Sequence, residues 1–388
     1  MPLAGIIAEF NPLHNGHQYL IDTAKREGFD VATVISGNFV QRGDTAIIPK
    51  FKRTESALSA GADIVLELPI PWSMSTAQNF ALGGVSQLSA VGIDALFFGS
   101  ECGDIQELYE VARILSSDEF NDRLKTRLSC GATFAKLRSE LVGEILGKET
   151  DILSSPNDTL AVEYILAARR LGLSTVFRPI KRVGAMHNDK TEQSAFTTAT
   201  LLRNAIISDD FEYVARFTPK HSYDIIKDSP ISNIRRIDTA ILAGLKQMKP
   251  AELSRIIDIS EGLDNLIYKS LRDCCSLEEL TEKIKSKRYT LARIRRIILS
   301  AFLGIDNRFF LTEPPYVRVL GFNDNGEKYL SGTKVKPVIT KVSQIEKISE
   351  FAKLVFDKEN TANEIYALTL DDPVRFISEQ REAIRRFI

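Results

Sequence analysis

The chain has 388 residues, 44% of them hydrophobic and 26% charged, and its 50 Lys and Arg nearly balance 51 Asp and Glu for a formal net charge of −1. This length accommodates two domains and a sizeable core, and the neutral balance excludes polyanion binding through global charge, so nucleic acid would need a local basic patch. No apolar run approaches the ~20 residues that span a bilayer, the N-terminus lacks a basic region with a cleavage site, and Cys102, Cys130, Cys274 and Cys275 show neither metal nor disulfide-framework spacing. Reduced thiols in a cytoplasmic protein are expected.

Four short, almost continuously apolar segments, residues 3–10, 31–36, 64–69 and 95–100, read as buried parallel strands. Residues 18–26, 52–60 and 76–91 between them carry helical spacing, which predicts right-handed βαβ crossovers. A helical insertion is expected over 105–147, a helix over 159–170, a fifth strand over 175–180, and a helix from Leu201 capped within Thr197–Thr200. The fold class is thus α/β, a Rossmann-like doubly wound parallel sheet. From about residue 229 the pattern becomes mainly helical: 234–248, 251–257, 265–274, 277–286, 290–303, 346–356 and a closing helix over 374–387, interrupted by a strand over 317–322 and a turn at 323–326. Two domains are predicted, 1–228 and 229–388.

The densest chemistry lies at the end of the first strand, in Glu9-Phe10-Asn11-Pro12-Leu13-His14-Asn15-Gly16-His17. Asn11-Pro12 ends the strand, Gly16 lets a ligand approach the backbone, and His14 and His17 can each donate an N–H to a transferring phosphoryl group. Such a strand–turn–helix suits nucleotide phosphates, and nucleotidyl transfer needs positioned donors more than covalent chemistry. A metal pair or a plain turn are the other readings; a metal would need further ligands, and only His187 and His221 are left among the histidines. Downstream, Thr198-Ala199-Thr200-Leu201-Leu202-Arg203 pairs hydroxyls with a cation at a helix start, with Thr200 expected as the cap and Arg203 on the β- and γ-phosphates.

His-x-Gly-His after a first buried strand, together with Thr198–Arg203, resembles the HIGH-type nucleotidyltransferase superfamily. The ordered set Glu9–His17, Ser36–Gly43, Asp63–Pro69, Leu96–Glu101, Ser155–Leu160 and Arg182-Val183-Gly184, with Tyr316–Phe322 and Glu364–Tyr366, resembles more narrowly the bacterial tRNA(Met) cytidine acetate ligases along essentially the whole chain. This resemblance implies a ligase of tRNA modification, in which ATP and acetate give acetyl-adenylate and pyrophosphate. The acetyl group then passes to N4 of the wobble cytidine of elongator tRNA(Met), giving N4-acetylcytidine and AMP. His14 and His17 would be catalytic. The ATP site would comprise Ile7, Ala8, Glu9, Phe10, Asn11, Pro12, Leu13, His14, Asn15, Gly16, His17, Gln18, Tyr19, Leu20, Gly99, Asn157 and Arg182, joined by Thr200 and Arg203. Magnesium is expected by analogy only. Asn157 also reads as a helix cap, and Gln41, Arg42, Lys50 and Arg53 as either ligand contacts or a solvated loop.

On the RNA side, residues 283–296 hold seven basic residues and no acidic one. Lys287, Arg288, Arg293, Arg295 and Arg296 are the candidate tRNA contacts, with Tyr289 available to stack. Two other readings stay open: a cofactor adenylyltransferase acting on a phosphorylated small molecule without RNA, and a non-catalytic RNA-binding protein.

Overall fold

The computed structural model describes residues 1–128, 134–182, 196–260, 262–286, 289–310, 312–331, 335–373, 379 and 384–387. Val183, Gly184, His187, Cys130, Lys287 and Arg288 therefore lie outside the described residues.

Five parallel strands, β1 (Leu3–Ile7), β2 (Asp30–Ser36), β3 (Ile64–Leu68), β4 (Ala95–Ser100) and β5 (Val176–Lys181), stand in the order β3-β2-β1-β4-β5. Their apolar runs are continuous because both faces are covered, and the two-residue side-chain period divides them between two cores. Ala4, Ile6, Val31, Ile35, Val65, Ala95 and Phe97 meet Leu20, Ile21 and Ala24 of α1 (Asn15–Arg26) and Ala57 and Leu58 of α2 (Lys50–Ser59). Leu3, Ala32, Val34, Ile64, Leu66, Leu96 and Phe98 face the other way, onto Phe80, Val85 and Leu88 of α3 (Ala77–Val91) and Ala161, Val162 and Ile165 of α4 (Pro156–Arg170). Chain order reverses between β1 and β4, and a doubly wound sheet opens its ligand crevice beyond the strand ends at that reversal. The predicted insertion consists of helices Ile105–Leu115, Asp118–Leu128 and Phe134–Leu146.

Helices α5 (Ala199–Ile207), α6 (Phe211–Phe217) and α7 (Lys220–Lys227) form a small core of their own with Ile47 and Ile48. The second half is mainly helical, and α8 (Leu291–Leu303) carries its basic stretch. It also supplies sheet. The strand β6 (Val317–Asn323) pairs antiparallel with β3, while β7 (Val338–Ile339) and β8 (Arg385–Phe387) pair parallel with β6. The closing helix expected over 374–387 is thereby corrected at its end: residues 385–387 are strand, satisfying the backbone edge of β6, and 374–378 and 380–383 lie outside the described residues. The helix expected over 346–356 begins later and runs further, as α9 (Glu350–Ala367), capped by the Ser349 side chain on Ala352 N.

Candidate active site

The turn after β1 is fixed from several sides before any ligand arrives. Phe10 takes a positive φ of 44°, a costly conformation for a bulky residue, and its fully buried ring holds it there. Arg53, also fully buried, donates to Glu9 O at 2.7 Å, Ser36 O at 2.9 Å, Ile48 O at 3.2 Å and to Gly37 O. Asn11 Oδ1 accepts from Ile47 N at 2.7 Å, and Ser222 Oγ donates to Leu13 O at 3.0 Å. Arg53 and Lys50 were candidates for ligand contact; both point inward. Lys50 is 1% exposed and pairs with Glu67 and Glu379 at 2.6 Å and Glu359 at 3.5 Å.

His14 and His17 form the first turn of α1. Gly16 N donates to His14 Nδ1 at 3.1 Å and His14 N to His17 Nδ1 at 3.3 Å, so each imidazole caps an otherwise unpaired amide. The rings stack with centroids 3.8 Å apart, and Phe10 meets His17 edge-on at 5.1 Å. A nitrogen that accepts carries no proton, so the proton of each neutral ring sits on Nε2. Burial, aided by the Arg182 and Arg203 charges, lowers His14 to about 4; burial, His14 and Arg182 hold His17 well below 6.5. At neutral pH the pair is two uncharged Nε2–H donors.

At the far side of the crevice, Gly99 on β4 lies beside Arg182, which follows β5; a Cβ on Gly99 would stand 3.6 Å from Arg182 Cγ. Arg182 is exposed, and its charge reaches both histidines. Asn157 is in the first turn of α4 but does not cap it; Ser155 holds that position. Its Nδ2 donates to Glu101 Oε1 at 2.5 Å, and Glu101 Oε2 accepts Asp158 N at 3.1 Å. Buried Asp158 accepts Ser100 Oγ at 2.5 Å, Glu101 N at 2.9 Å and Cys102 N at 3.0 Å, tying the loop after β4 to α4.

The second motif opens α5. Its N-cap is Thr198, accepting Leu201 N at 3.3 Å, and not Thr200 as expected. Thr200 stands in the first turn of the helix, exposed, and its Oγ1 accepts from Arg203 Nη2 at 3.1 Å and Arg42 Nη1 at 3.2 Å. Arg203 Nη1 donates to Asn11 O at 2.9 Å, which joins this motif directly to the His-x-Gly-His turn. Burial lowers the Arg203 pKa, with Glu9 and Asp44 opposing and Arg42 reinforcing it.

The other residues expected at ATP take different stations. Phe10, Leu13 and Leu20 belong to the core beneath the sheet, Pro12 is buried, and Ile7 packs toward α3. Gln18 bonds Asp22 at 2.8 Å and Ala60 O at 2.9 Å, and Asn15 donates to Arg216 O at 3.4 Å. Glu9 Oε1 accepts Gln41 N at 2.7 Å, Ala8 N bonds Val34 O at 3.0 Å, and Tyr19 is 43% exposed. The residues brought together around the crevice are thus His14, Gly16, His17, Gly99, Arg182, Thr200 and Arg203, with Asn157 behind the loop.

The basic stretch changes character in three dimensions. Arg293 bonds Asp258 O at 2.8 Å and Ser260 Oγ at 2.8 Å, and pairs with Asp258 Oδ1 at 3.2 Å. Arg296 reaches Asp258 Oδ2 at 3.1 Å and Gln41 O at 3.3 Å. These two do not form a free cationic face, and Tyr289 is buried with Arg293 over its ring. Arg295 alone of the three is exposed. Gly43, at φ +71°, packs so closely on this helix that a Cβ would collide with Arg296 N.

Residues 1–381 match the HIGH Nucleotidyl Transferase family. The chain is 38% identical over 387 residues to the tRNA(Met) cytidine acetate ligase of Thermoanaerobacter sp. (strain X514), covering 95% of each. The chain belongs to the HIGH Nucleotidyl Transferases and, within them, to the tRNA(Met) cytidine acetate ligase family. It is 38% identical over 386 residues to the ligase of the same name from Caldanaerobacter subterraneus subsp. tengcongensis, with 95% coverage of both. The crystal structure of apo Thermotoga maritima TmcAL superposes with a TM-score of 0.90 at 30% identity, each chain covered completely. The same protein bound with alpha-thio ATP gives 0.88 at 30% identity, over 99% and 97% of the two chains. In this ligase family member, Glu101 and Asp158 stand in the blocks that carry the resemblance but have no role legible from sequence, and Asp258 is not singled out by sequence at all. All three act across 35 or more residues of sequence, and a lone carboxylate carries no local pattern that announces such a partner. Among the described residues no helix is long and apolar enough to cross a membrane.

Proposed function

We propose that this ligase activates acetate with ATP and acetylates N4 of the wobble cytidine of elongator tRNA(Met). In the first half-reaction an acetate oxygen attacks the α-phosphorus and the bond to the β-phosphate breaks, giving acetyl-adenylate and pyrophosphate. In the second, the cytidine amine attacks the acetyl carbonyl, the bond to the adenylate oxygen breaks, and N4-acetylcytidine, AMP and a proton leave. The observation that carries this reading is the stacked His14–His17 pair, two neutral Nε2–H donors at the strand end where chain order reverses. Fixed donors act most strongly where charge develops, here on the oxygens of the attacked phosphorus. Thr200 and Arg203 take the β- and γ-phosphates, and Gly99, Asn157 and Arg182 the nucleoside side. Residues 1–228 would hold ATP, and tRNA would approach from 229–388.

The names of the relatives and the alpha-thio ATP bound to the T. maritima neighbour support the reading. Among the described residues no three His, Cys, Asp or Glu side chains converge to hold a metal. Magnesium would accompany the triphosphate. The test is pyrophosphate exchange into ATP with and without acetate, followed by transfer of labelled acetate to tRNA(Met) transcripts. Acetate-dependent exchange and transfer are expected; exchange indifferent to acetate would refute the assignment.

A further inference from the structure

We propose that Arg42, on the loop after β2, is a further phosphate-binding residue that grips the pyrophosphate end of ATP and stabilises it as it leaves. This rests on the reading above and extends it to an element outside both motifs. Arg42 and Arg203 converge on one atom, Thr200 Oγ1, from 3.2 and 3.1 Å. Two guanidiniums so placed repel each other, and among the described residues neither forms an ion pair. The carboxylates whose charge reaches Arg203 are Glu9 and Asp44; Glu9 Oε1 is taken by Gln41 N at 2.7 Å and Asp44 Oδ1 by Thr45 N at 2.8 Å. An anion with more than one charge is what such a pair lacks.

The hydroxyl between them reinforces the point. Thr200 Oγ1 accepts two charge-assisted hydrogen bonds, so its own hydrogen is left to donate outward. Arg42 and Thr200 are both exposed, and Arg203 connects them to the His14 turn through Asn11 O. The donors therefore face solvent beside the histidines rather than the interior.

The loop also holds Arg42 in place. Gln41 N is bound by Glu9, Gln41 O accepts from Arg296 at 3.3 Å, and Gly43 rests on the backbone of residues 295–296. A cation on a fixed loop is preorganised for its ligand.

The experiment compares wild type with Arg42→Ala and Arg42→Lys in three assays: calorimetric titration with inorganic pyrophosphate, acetate-dependent exchange, and acetyl transfer from synthetic acetyl-adenylate to a tRNA(Met) transcript. Arg42→Ala is expected to weaken pyrophosphate binding about tenfold or more, with lower exchange kcat and higher KM for pyrophosphate, while Arg42→Lys recovers part of the loss. Transfer from acetyl-adenylate, which carries no pyrophosphate, stays within about twofold of wild type, well under the tenfold that 1.4 kcal/mol represents. Unchanged pyrophosphate affinity in Arg42→Ala overturns the proposal. So does normal pyrophosphate binding with lost transfer, which would place Arg42 on the RNA. The titration uses neither acetate nor tRNA, so failure of the acetate reading is seen separately, as absent acetate-dependent exchange in wild type.

Discussion

His14 and His17 are coupled through their rings and through the backbone: the stack is 3.8 Å, and Nδ1 of each ring accepts an amide of the same helical turn. Protonating either Nδ1 would set one donor against another, so the turn and the donor function depend on the same neutral state. In the unfolded chain both rings titrate near 6.5, whereas the folded values are lowered, to about 4 for His14. Below about pH 6.5 the unfolded state therefore binds more protons, and the stability that rests on this pair is complete above 6.5 and lost progressively toward pH 4. Exchange kcat is expected to be flat from pH 8 to about 6. A profile measured across that range with an inflection at 6.5, abolished by His14→Asn, would contradict the assignment.

Replacing either imidazole by Ala removes one donor. Each is expected to lower exchange roughly 10²–10³-fold, with the double variant well short of the product because the two act as a unit. The loss of a cap costs about 1 kcal/mol, measurable by urea denaturation, so these variants remain folded at 25 °C.

Arg295 and its neighbours should separate cleanly. Arg295→Glu changes an exposed residue and is expected to weaken tRNA binding and lower its salt dependence, with stability within about 0.5 kcal/mol of wild type. Arg296→Glu places a carboxylate against Asp258 and frees Gln41 O. It is expected to destabilise by about 2 kcal/mol and to slow exchange without tRNA present. Filter binding and thermal melts of both variants decide; equal effects on stability would reject the distinction.

Beneath the loop that carries Arg42, Lys50 and Arg318 share a buried network with Glu67, Glu359 and Glu379. Burial and the neighbouring Glu67 charge push Glu359 up to about 8. The folded state thus holds a proton there that the unfolded state releases near its ordinary 4.5, so this group makes stability fall as pH rises between about 4.5 and 8. Glu359→Gln is expected to remove that component, which urea midpoints at pH 5, 7 and 8.5 would reveal as a changed slope. Lys50→Met strands the carboxylates and is expected to cost roughly 3–5 kcal/mol.

Asp158 is the support behind Asn157. Asp158→Ala leaves two loop amides and the Ser100 hydroxyl without their acceptor, at roughly 2–4 kcal/mol. By loosening Glu101 it should also raise the KM for ATP. Asp158→Asn keeps one acceptor oxygen and is expected to recover part of both. An unchanged KM in the Ala variant, measured by exchange at varied ATP, would limit Asp158 to stability.

The sheet was legible because its code is local. Residues 3–7, 30–36, 64–68 and 95–100 are apolar runs between turns, and their two-residue period divides them between two cores without reference to distant sequence. The His-x-Gly-His turn and the hydroxyls before Arg203 were legible for the same reason, since strand end, cap and helix start follow one another in the chain. The shift of the cap from Thr200 to Thr198 is a matter of one helical half-turn.

The sequence by itself determined the strands that span residues 3–7, 30–36, 64–68, 95–100, 176–181 and 317–323, where the His-x-Gly-His turn falls, and that a basic stretch stands near residue 290. Tertiary structure decided which charges meet which partners. Lys50 and Arg53, which by sequence read as either ligand contacts or a solvated loop, are buried struts; Arg293 and Arg296, which by sequence share one helical face, close on Asp258. Residues 317–323, expected as a strand, find their partner in β3, and residues 385–387, expected as helix, pair with them in turn, so the second half completes the sheet of the first. A charge or a strand edge acts through what faces it, and what faces it is set by contacts from 17 to 309 residues apart that leave no period in the chain.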